Sequence, residues 1–447
     1  MSSWHEAEQF ADRALEMYER GHWAEAENQL RKALEIDPDH GDWHFNLGLT
    51  LERTGRDAEA LSSFEHASRL LPESIDPQLA SGSSCMRLGR FDNAIKWFNR
   101  VIKLDSSCEP AWAMLIEANA ELGNHDTAET CFYMAQDALP DTSANVLIAM
   151  SGSLLTRNEY ERAIWCAREA IKLDSNVIGG RLQLAGALVA SGQSQQASQI
   201  LLQELRVDPG NIQALLLHAD VLADSGKTNE ALIRLHRVLE LEPANIGAHI
   251  RAGTYAIDDK RWEEAFIAWG LVRRLLPEHP TACLYLAQSL IAMHRLTSAR
   301  PLLQEYVERM DANSSSDEKI HVAKLLISSG EPIIATSILE PLSIELDDDN
   351  PKKVKCLRLL AVTLFAVEKN DDGSAISRKV LRLDSKCISS MHNLALAAVK
   401  NQRFRTAWGW VSRGLAVDPL DNDLRRLRSR LIWEGVARFF RIKVFRR

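Results

Sequence analysis

Residues 27–38 read ENQLRKALEIDP, residues 61–72 read LSSFEHASRLLP and residues 128–140 read AETCFYMAQDALP. Each segment places apolar residues three and four apart, the spacing of an amphipathic helix, and each stops at a proline. Pro38 and Pro72 stand 34 residues apart, and two further steps of 34 reach Ser106 and Pro140. A fixed period of this length predicts an array of one helical motif, each copy burying its apolar face against its neighbours.

Outward from these segments the period extends to twelve repeats. They begin at residues 7, 41, 75, 109, 144, 178, 212, 246, 280, 316, 354 and 388, and the last ends at 421. The register needs one inserted residue at 143, two at 314–315 and four at 350–353. Position 20 of the repeat is alanine in eleven copies, from Ala26, Ala60 and Ala94 to Ala128 and on to Ala407, and Gly373 in the remaining one. A small residue held at one position predicts that two helices cross there at close range. Position 15 is glycine in seven copies (Gly21, Gly55, Gly89, Gly123, Gly192, Gly226, Gly330), which predicts a left-handed cap ending a first helix. Asn158, Lys260, His294, Glu368 and Gln402 fill the other five slots. Position 32 is proline in seven copies, Pro38 to Pro419, and stops a second helix. Positions 7, 8 and 11 carry small and apolar residues, as in Leu47, Gly48 and Leu51; position 24 is mostly large, as in Phe64, Phe98 and Trp269.

This pattern resembles the tetratricopeptide repeat family over 7–421. The resemblance implies an all-α, right-handed superhelical solenoid of about twelve antiparallel helix hairpins. In such arrays the first helix of each pair lines a concave groove that binds peptides or proteins and rarely carries chemistry. The segment 422–447, NDLRRLRSRLIWEGVARFFRIKVFRR, follows as a basic amphipathic capping helix with Leu427 and Leu431 on its inner face, near Trp408 and Val411. Repeat ten carries Pro341 inside its second helix, where proline is expected to kink or shorten it. With both longer insertions nearby, 311–316 and 346–353 read as the loosest joints. The expected organisation is 1–310 for repeats one to nine, 311–421 for the more degenerate repeats ten to twelve, and 422–447 for the cap.

Composition narrows the function. Of 447 residues, 46% are apolar and 26% charged, ordinary values for a folded chain. A formal charge of −8 excludes a surface basic all over, so nucleic acid is not an expected partner. The first residues lack a secretory signal, and no stretch has 18 uninterrupted apolar residues. Seven scattered cysteines, none closer than 23 residues to the next, suit a reducing compartment and offer no metal-ligand spacing. A cytoplasmic address follows, with peripheral membrane attachment as the variant.

Residues with chemical potential have structural readings. His40, Asp42 and His44 fall at a repeat boundary, where polar residues cap a helix, and His5-Glu6 lacks a second histidine. The SGSS at 81–84 and SGSLL at 151–155 sit on the packing positions of first helices. No nucleophile, phosphate-loop or dinucleotide motif is present, and no strand is expected. No enzyme activity, metal or cofactor is therefore expected.

The groove should be lined by positions 2, 5, 6, 9, 12 and 13. One pattern known in the family, a clamp for a chaperone's C-terminal carboxylates, fails here: Ala11, Leu15, Asp76 and Ala80 occupy its slots and only Asn46 matches. Repeats one and two offer an acidic mouth through Glu8, Asp12 and Asp42. The expected partner-binding set is Leu216, Leu217, Asp220, Ile250, Arg251, Thr254, Leu284, Tyr285 and Gln288, apolar with a few polar fixtures. The tail adds Arg438, Arg441, Lys443, Arg446 and Arg447. The expected function is a non-catalytic scaffold or adaptor holding a partner polypeptide in its groove. The alternative is an assembly factor docked by the basic tail to an anionic membrane surface or an acidic partner.

Overall fold

Every position-15 residue turns the chain with positive φ. The seven glycines do so between 67° and 86°, and Asn158, Lys260, His294, Glu368 and Gln402 do so between 56° and 65°. At each of these turns the N–H of the following residue reaches back to the carbonyl five residues earlier, as in His22 to Met17 and Arg261 to Ala256. This is the six-to-one bond of a left-handed helix cap. The seven glycines adopt it without cost, whereas each of the other five residues pays roughly 1 kcal/mol for a Cβ crowding the next carbonyl.

The computed structural model describes residues 3–311 and 314–444, with side chains from 4 to 434. These residues form 25 helices and no strand. In chain order the first seven pairs are α1 (Ser3–Glu19) and α2 (Trp23–Ile36), α3 (Gly41–Arg53) and α4 (Asp57–Leu70), α5 (Ile75–Arg87) and α6 (Phe91–Leu104), α7 (Glu109–Glu121) and α8 (His125–Ala138), α9 (Ala144–Thr156) and α10 (Tyr160–Leu173), α11 (Gly180–Ala190) and α12 (Ser194–Val207), and α13 (Ile212–Asp224) and α14 (Thr228–Leu241). The others are α15 (Ile246–Asp258) and α16 (Trp262–Leu275), α17 (Ala282–Ala292) and α18 (Leu296–Arg309), α19 (Ser316–Ser329) and α20 (Pro332–Glu345), α21 (Pro351–Ala366) and α22 (Asn370–Leu383), and α23 (Ile388–Lys400) and α24 (Phe404–Val417), followed by α25 (Asn422–Val444). They fall into two compact bodies, Met1–Leu241 and Glu242–Arg447. The expected joint at 310/311 lies inside the second.

Each body is held by the same contacts. All eleven position-20 alanines, among them Ala26, Ala128, Ala265 and Ala407, are completely buried. Gly373 takes this place in repeat eleven because the Phe365 ring lies over it: a Cβ there would stand 3.1 Å from three ring carbons. Position 8 fits against position 24 of the same hairpin. Gly48, Gly82 and Gly253 face Phe64, Phe98 and Trp269, and a Cβ on any of the three would fall 2.4–2.5 Å from the opposing ring. Five other repeats place alanine at position 8 and leucine at position 24: Ala14/Leu30, Ala185/Leu201, Ala219/Leu235, Ala287/Leu303 and Ala323/Leu339. All ten of these side chains are buried.

Consecutive repeats are joined by a recurrent hydrogen bond. The position-4 side chain donates to the position-32 carbonyl of the repeat before. His44 does so to Pro38, Gln78 to Pro72, Trp112 to Ser106, Arg181 to Ser175 and His249 to Pro243, all at 2.7–3.0 Å. Arg425 makes the same bond to Pro419 at 2.7 Å. The α25 helix thus enters in the register of a further first helix. Leu424, Leu427 and Leu431 are buried against α24 in a cluster with Ala407 and Val411. Trp410 packs against this cluster, while Trp408 stays exposed, so the cap misses the tryptophan assigned to it.

Ordered contacts occur at both places expected to be loosest. The α20 helix contains Pro341 and still runs 14 residues, so it is not shortened. The insertion at 350–353 supports it. Lys353 is buried and donates its Nζ to the carbonyl of Ser343 at 2.7 Å and to that of Leu346, capping the end of α20. Residues 351–353 form the first turn of α21, with Asn350 Oδ1 accepting from the Lys352 amide at 2.9 Å and Pro351 starting the helix. The α19 helix is likewise capped, by Ser315 accepting from the Glu318 amide.

Candidate functional site

The histidines of the first repeat boundary and the cysteines sit in structural settings. The His40 ring stacks on Trp43 with centroids 3.9 Å apart, and His44 Nε2 is held by the Pro38 carbonyl. Cys85, Cys131, Cys166, Cys283, Cys356 and Cys387 are buried, and Cys108 partly so. Burial pushes the Cys166 and Cys356 thiols up to about 11, away from the reactive thiolate. No cluster of three metal-ligating side chains occurs among the described residues. No helix among them is long and apolar enough to cross a membrane.

What stays open is a face of the first helices. Within the first body α5, α7, α9, α11 and α13 touch in succession; within the second α17, α19, α21 and α23 do the same. Second helices show no comparable packing on one another among the described residues. The first helices therefore line one side of each body, with positions 2, 5, 6 and 9 turned outward between neighbours.

The expected set divides between the bodies. In the first, Leu216, Leu217 and Asp220 on α13 are half-buried. In the second, Ile250, Arg251 and Thr254 on α15 and Tyr285 and Gln288 on α17 are half-buried as well. Thr254 Oγ1 donates to the Ile250 carbonyl at 2.9 Å, and Gln288 Oε1 lies 3.3 Å from His321 Nε2. The Tyr285 ring stacks on Trp269, centroids 4.5 Å apart. Leu284 departs from the expectation. At 4% exposure it belongs to the core, where it packs with Leu303 and Ile320. The α17 helix starts only at Ala282 and places position 5 inward.

Sequence reasoning stopped at repeat nine and missed a cavity of about 470 Å³ farther along the second body. Its lining comes from α19, α21 and Ser389 at the start of α23. Ile320, Leu359 and Val362 supply apolar surface; Lys324, Lys355 and Arg358 supply charge. These are positions 5, 6, 9, 9, 2 and 5 of repeats ten and eleven, so the register itself was the signal. The basic tail cannot be placed in the same way. The side chains of Arg438, Arg441 and Lys443, and all of Arg446 and Arg447, lie outside the described residues.

Helix hairpins repeating every 34 residues, with a small residue at each crossing and an open first-helix face, define a class of repeat arrays built to present a surface. Residues 11–75 and 77–108 match two models of the tetratricopeptide repeat. Residues 11–108 therefore carry tetratricopeptide repeats. It is 30% identical over 127 residues to human DnaJ homolog subfamily C member 7, a match covering 28% of this chain and 26% of that protein. The mouse protein of the same name matches at 29% over 127 residues. The chain thus matches about a quarter of the length of these curated relatives. Similar solved structures include the APC/C hetero-tetramer Cut9-Hcn1, with 14% identity, TM-score 0.40 and coverage of 95% of this chain and 96% of that one. A tetratricopeptide repeat protein from Parabacteroides merdae ATCC 43184 is also similar, with 15% identity, TM-score 0.43 and coverage of 64% and 98%.

Proposed function

We propose that this chain is a non-catalytic interaction scaffold that holds a partner polypeptide against the open faces of its first helices. The observation that carries this reading is a division of labour along the repeat. Positions 8, 20 and 24 are buried between helices, while positions such as Leu216, Ile250 and Tyr285 keep part of their apolar surface in solvent with polar groups beside them. Such a surface suits an extended or helical peptide, whose apolar side chains gain burial and whose polar groups find fixed partners. The test is a variant with Leu216→Ser, Ile250→Ser and Tyr285→Ala. Capture of the principal partner from the protein's own cell extract should weaken while helix content is retained. Undiminished capture by the folded variant would remove these residues from the binding face.

A second reading, attachment through the C-terminal helix to an anionic surface, is favoured by one observation. Trp433 is 75% exposed and Ile432 is 51% exposed on α25, turned away from the face that caps α24. Exposed aromatic and aliphatic groups beside arginines are what an interfacial helix presents. Deletion of 438–447 should abolish salt-sensitive sedimentation with phosphatidylserine vesicles. A full-length protein that ignores such vesicles at low salt has a tail that only caps.

A further inference from the structure

We propose that the cavity on α19 and α21 is a docking site for an acidic peptide segment, in which carboxylates flank an apolar side chain. This rests on the scaffold reading and names the partner chemistry for one stretch of the face. The charge is one-sided. Lys324, Lys355 and Arg358 are exposed, and none of their side chains makes a hydrogen bond or ion pair among the described residues. The only carboxylate in the lining, Asp317, is already taken by Lys352 at 2.6 Å. Three cations remain uncompensated on a chain whose net charge is −8, so the cluster is a local reversal of sign.

The same cavity also carries apolar surface. Lys355 and Arg358 are three apart on α21 and share one side of that helix; Lys324 comes from α19. Leu359 and Val362 line the same cavity, with Val362 38% exposed and Ile320 buried. A ligand that uses the whole cavity must place negative charge around an apolar group. An acidic peptide does so with Asp or Glu around Leu or another aliphatic residue. Nucleic acid would present evenly spaced phosphates to a longer basic stripe, and here three cations share their cavity with aliphatic side chains.

The experiment uses the full-length chain and a fluorescein-labelled eight-residue peptide, acetylated and amidated, with glutamates flanking two leucines. Anisotropy should report binding that weakens with added salt and falls at least tenfold when every Glu in the peptide is replaced by Gln. It should fall by a similar factor for the protein variant Lys324→Gln/Lys355→Gln/Arg358→Gln. A second variant, Val362→Asp, should lose binding with all three cations in place. A free-acid version of the peptide tells internal carboxylates from a chain end, and either supports the site if the protein variants lose it. Equal binding of the glutamine peptide, or tighter binding of an oligouridine than of the acidic peptide, overturns the inference and leaves the scaffold reading intact. Failure of both peptides together with undiminished partner capture by the Leu216, Ile250 and Tyr285 variant removes both.

Discussion

The Trp269 indole occupies the space that a side chain on Gly253 would need. A Cβ at Gly253 would lie 2.5 Å from Trp269 Nε1 and 2.7 Å from Cδ1, and the ring is itself buried between its hairpin and Tyr285. A glycine in mid-helix costs about 0.5–1 kcal/mol relative to alanine, and here the room it gives to a buried tryptophan offsets that cost. Gly253→Ala should therefore destabilise by about 1–3 kcal/mol through overpacking. Gly186→Ala should have the opposite sign, because nothing lies within 4 Å of its Cβ position on α11. Thermal unfolding of the two variants beside the parent decides this. The double change Gly253→Ala/Trp269→Leu, which recreates the pair found in five other repeats, should recover part of the loss.

Glu368 holds a φ of 65° at the position that seven other repeats give to glycine. Its carboxylate is exposed and only 4.0 Å from Lys400, an ion pair of little consequence in water. Glu368→Gly should raise the melting midpoint, in line with relief of about 1 kcal/mol of backbone strain. Gly55→Ala should lower it by a similar amount, since its φ of 75° is of the same kind. A Glu368→Gly variant that melts below the parent would refute this.

The alanine at position 20 is a steric requirement of the hairpin. Ala128 is completely buried on α8, and Ala128→Leu should push the crossing helices apart at a cost of about 1–3 kcal/mol. Urea unfolding followed by circular dichroism measures the change. An unaltered midpoint would mean that α7 and α8 do not cross at this residue.

His218 makes stability depend on pH. It is buried in α13 with Nε2 3.0 Å from Ser198 Oγ, and burial, reinforced by Arg234, lowers its pKa to about 4. The unfolded chain takes up a proton below about 6.5 that the folded chain refuses. Stability is therefore lost as pH falls from about 6.5 to about 4, by at most about 3 kcal/mol from this group. Burial also lowers His279 and His321, which add in the same direction. In His218→Met the decline between pH 7 and pH 5 should be smaller than in the parent, as read from melting midpoints. Parallel declines in the two proteins would assign the pH dependence elsewhere.

Much of the architecture was legible in the chain because it is a matter of local geometry repeated many times. A left-handed cap constrains its own residue, so seven glycines in register disclosed the turn, and Asn158 or Glu368 follow because the flanking helices impose it. The alanines at position 20 and the leucines of α25 declared a crossing and a cap in the same way. The contacts of the insertion at 350–353 were not legible because they are not local: Lys353 reaches back across the turn to the carbonyls of Ser343 and Leu346.

The first-helix face divides along the same line. The sequence alone determined the period, the two helices of each repeat and the register positions of each first helix, since these depend on one repeat and its backbone. Only the tertiary structure decided which slots are open. Leu284 and Tyr285 are adjacent in the chain, yet one is core and the other half-exposed against Trp269; Lys324 and Arg358 are 34 residues apart and line one cavity. The physical reason is that exposure is set by the offset and rotation of each helix against the next repeat. Side chains such as Trp269, Phe365 and Lys353 fix that offset by filling space and by bonding across the joint, and the period does not encode it.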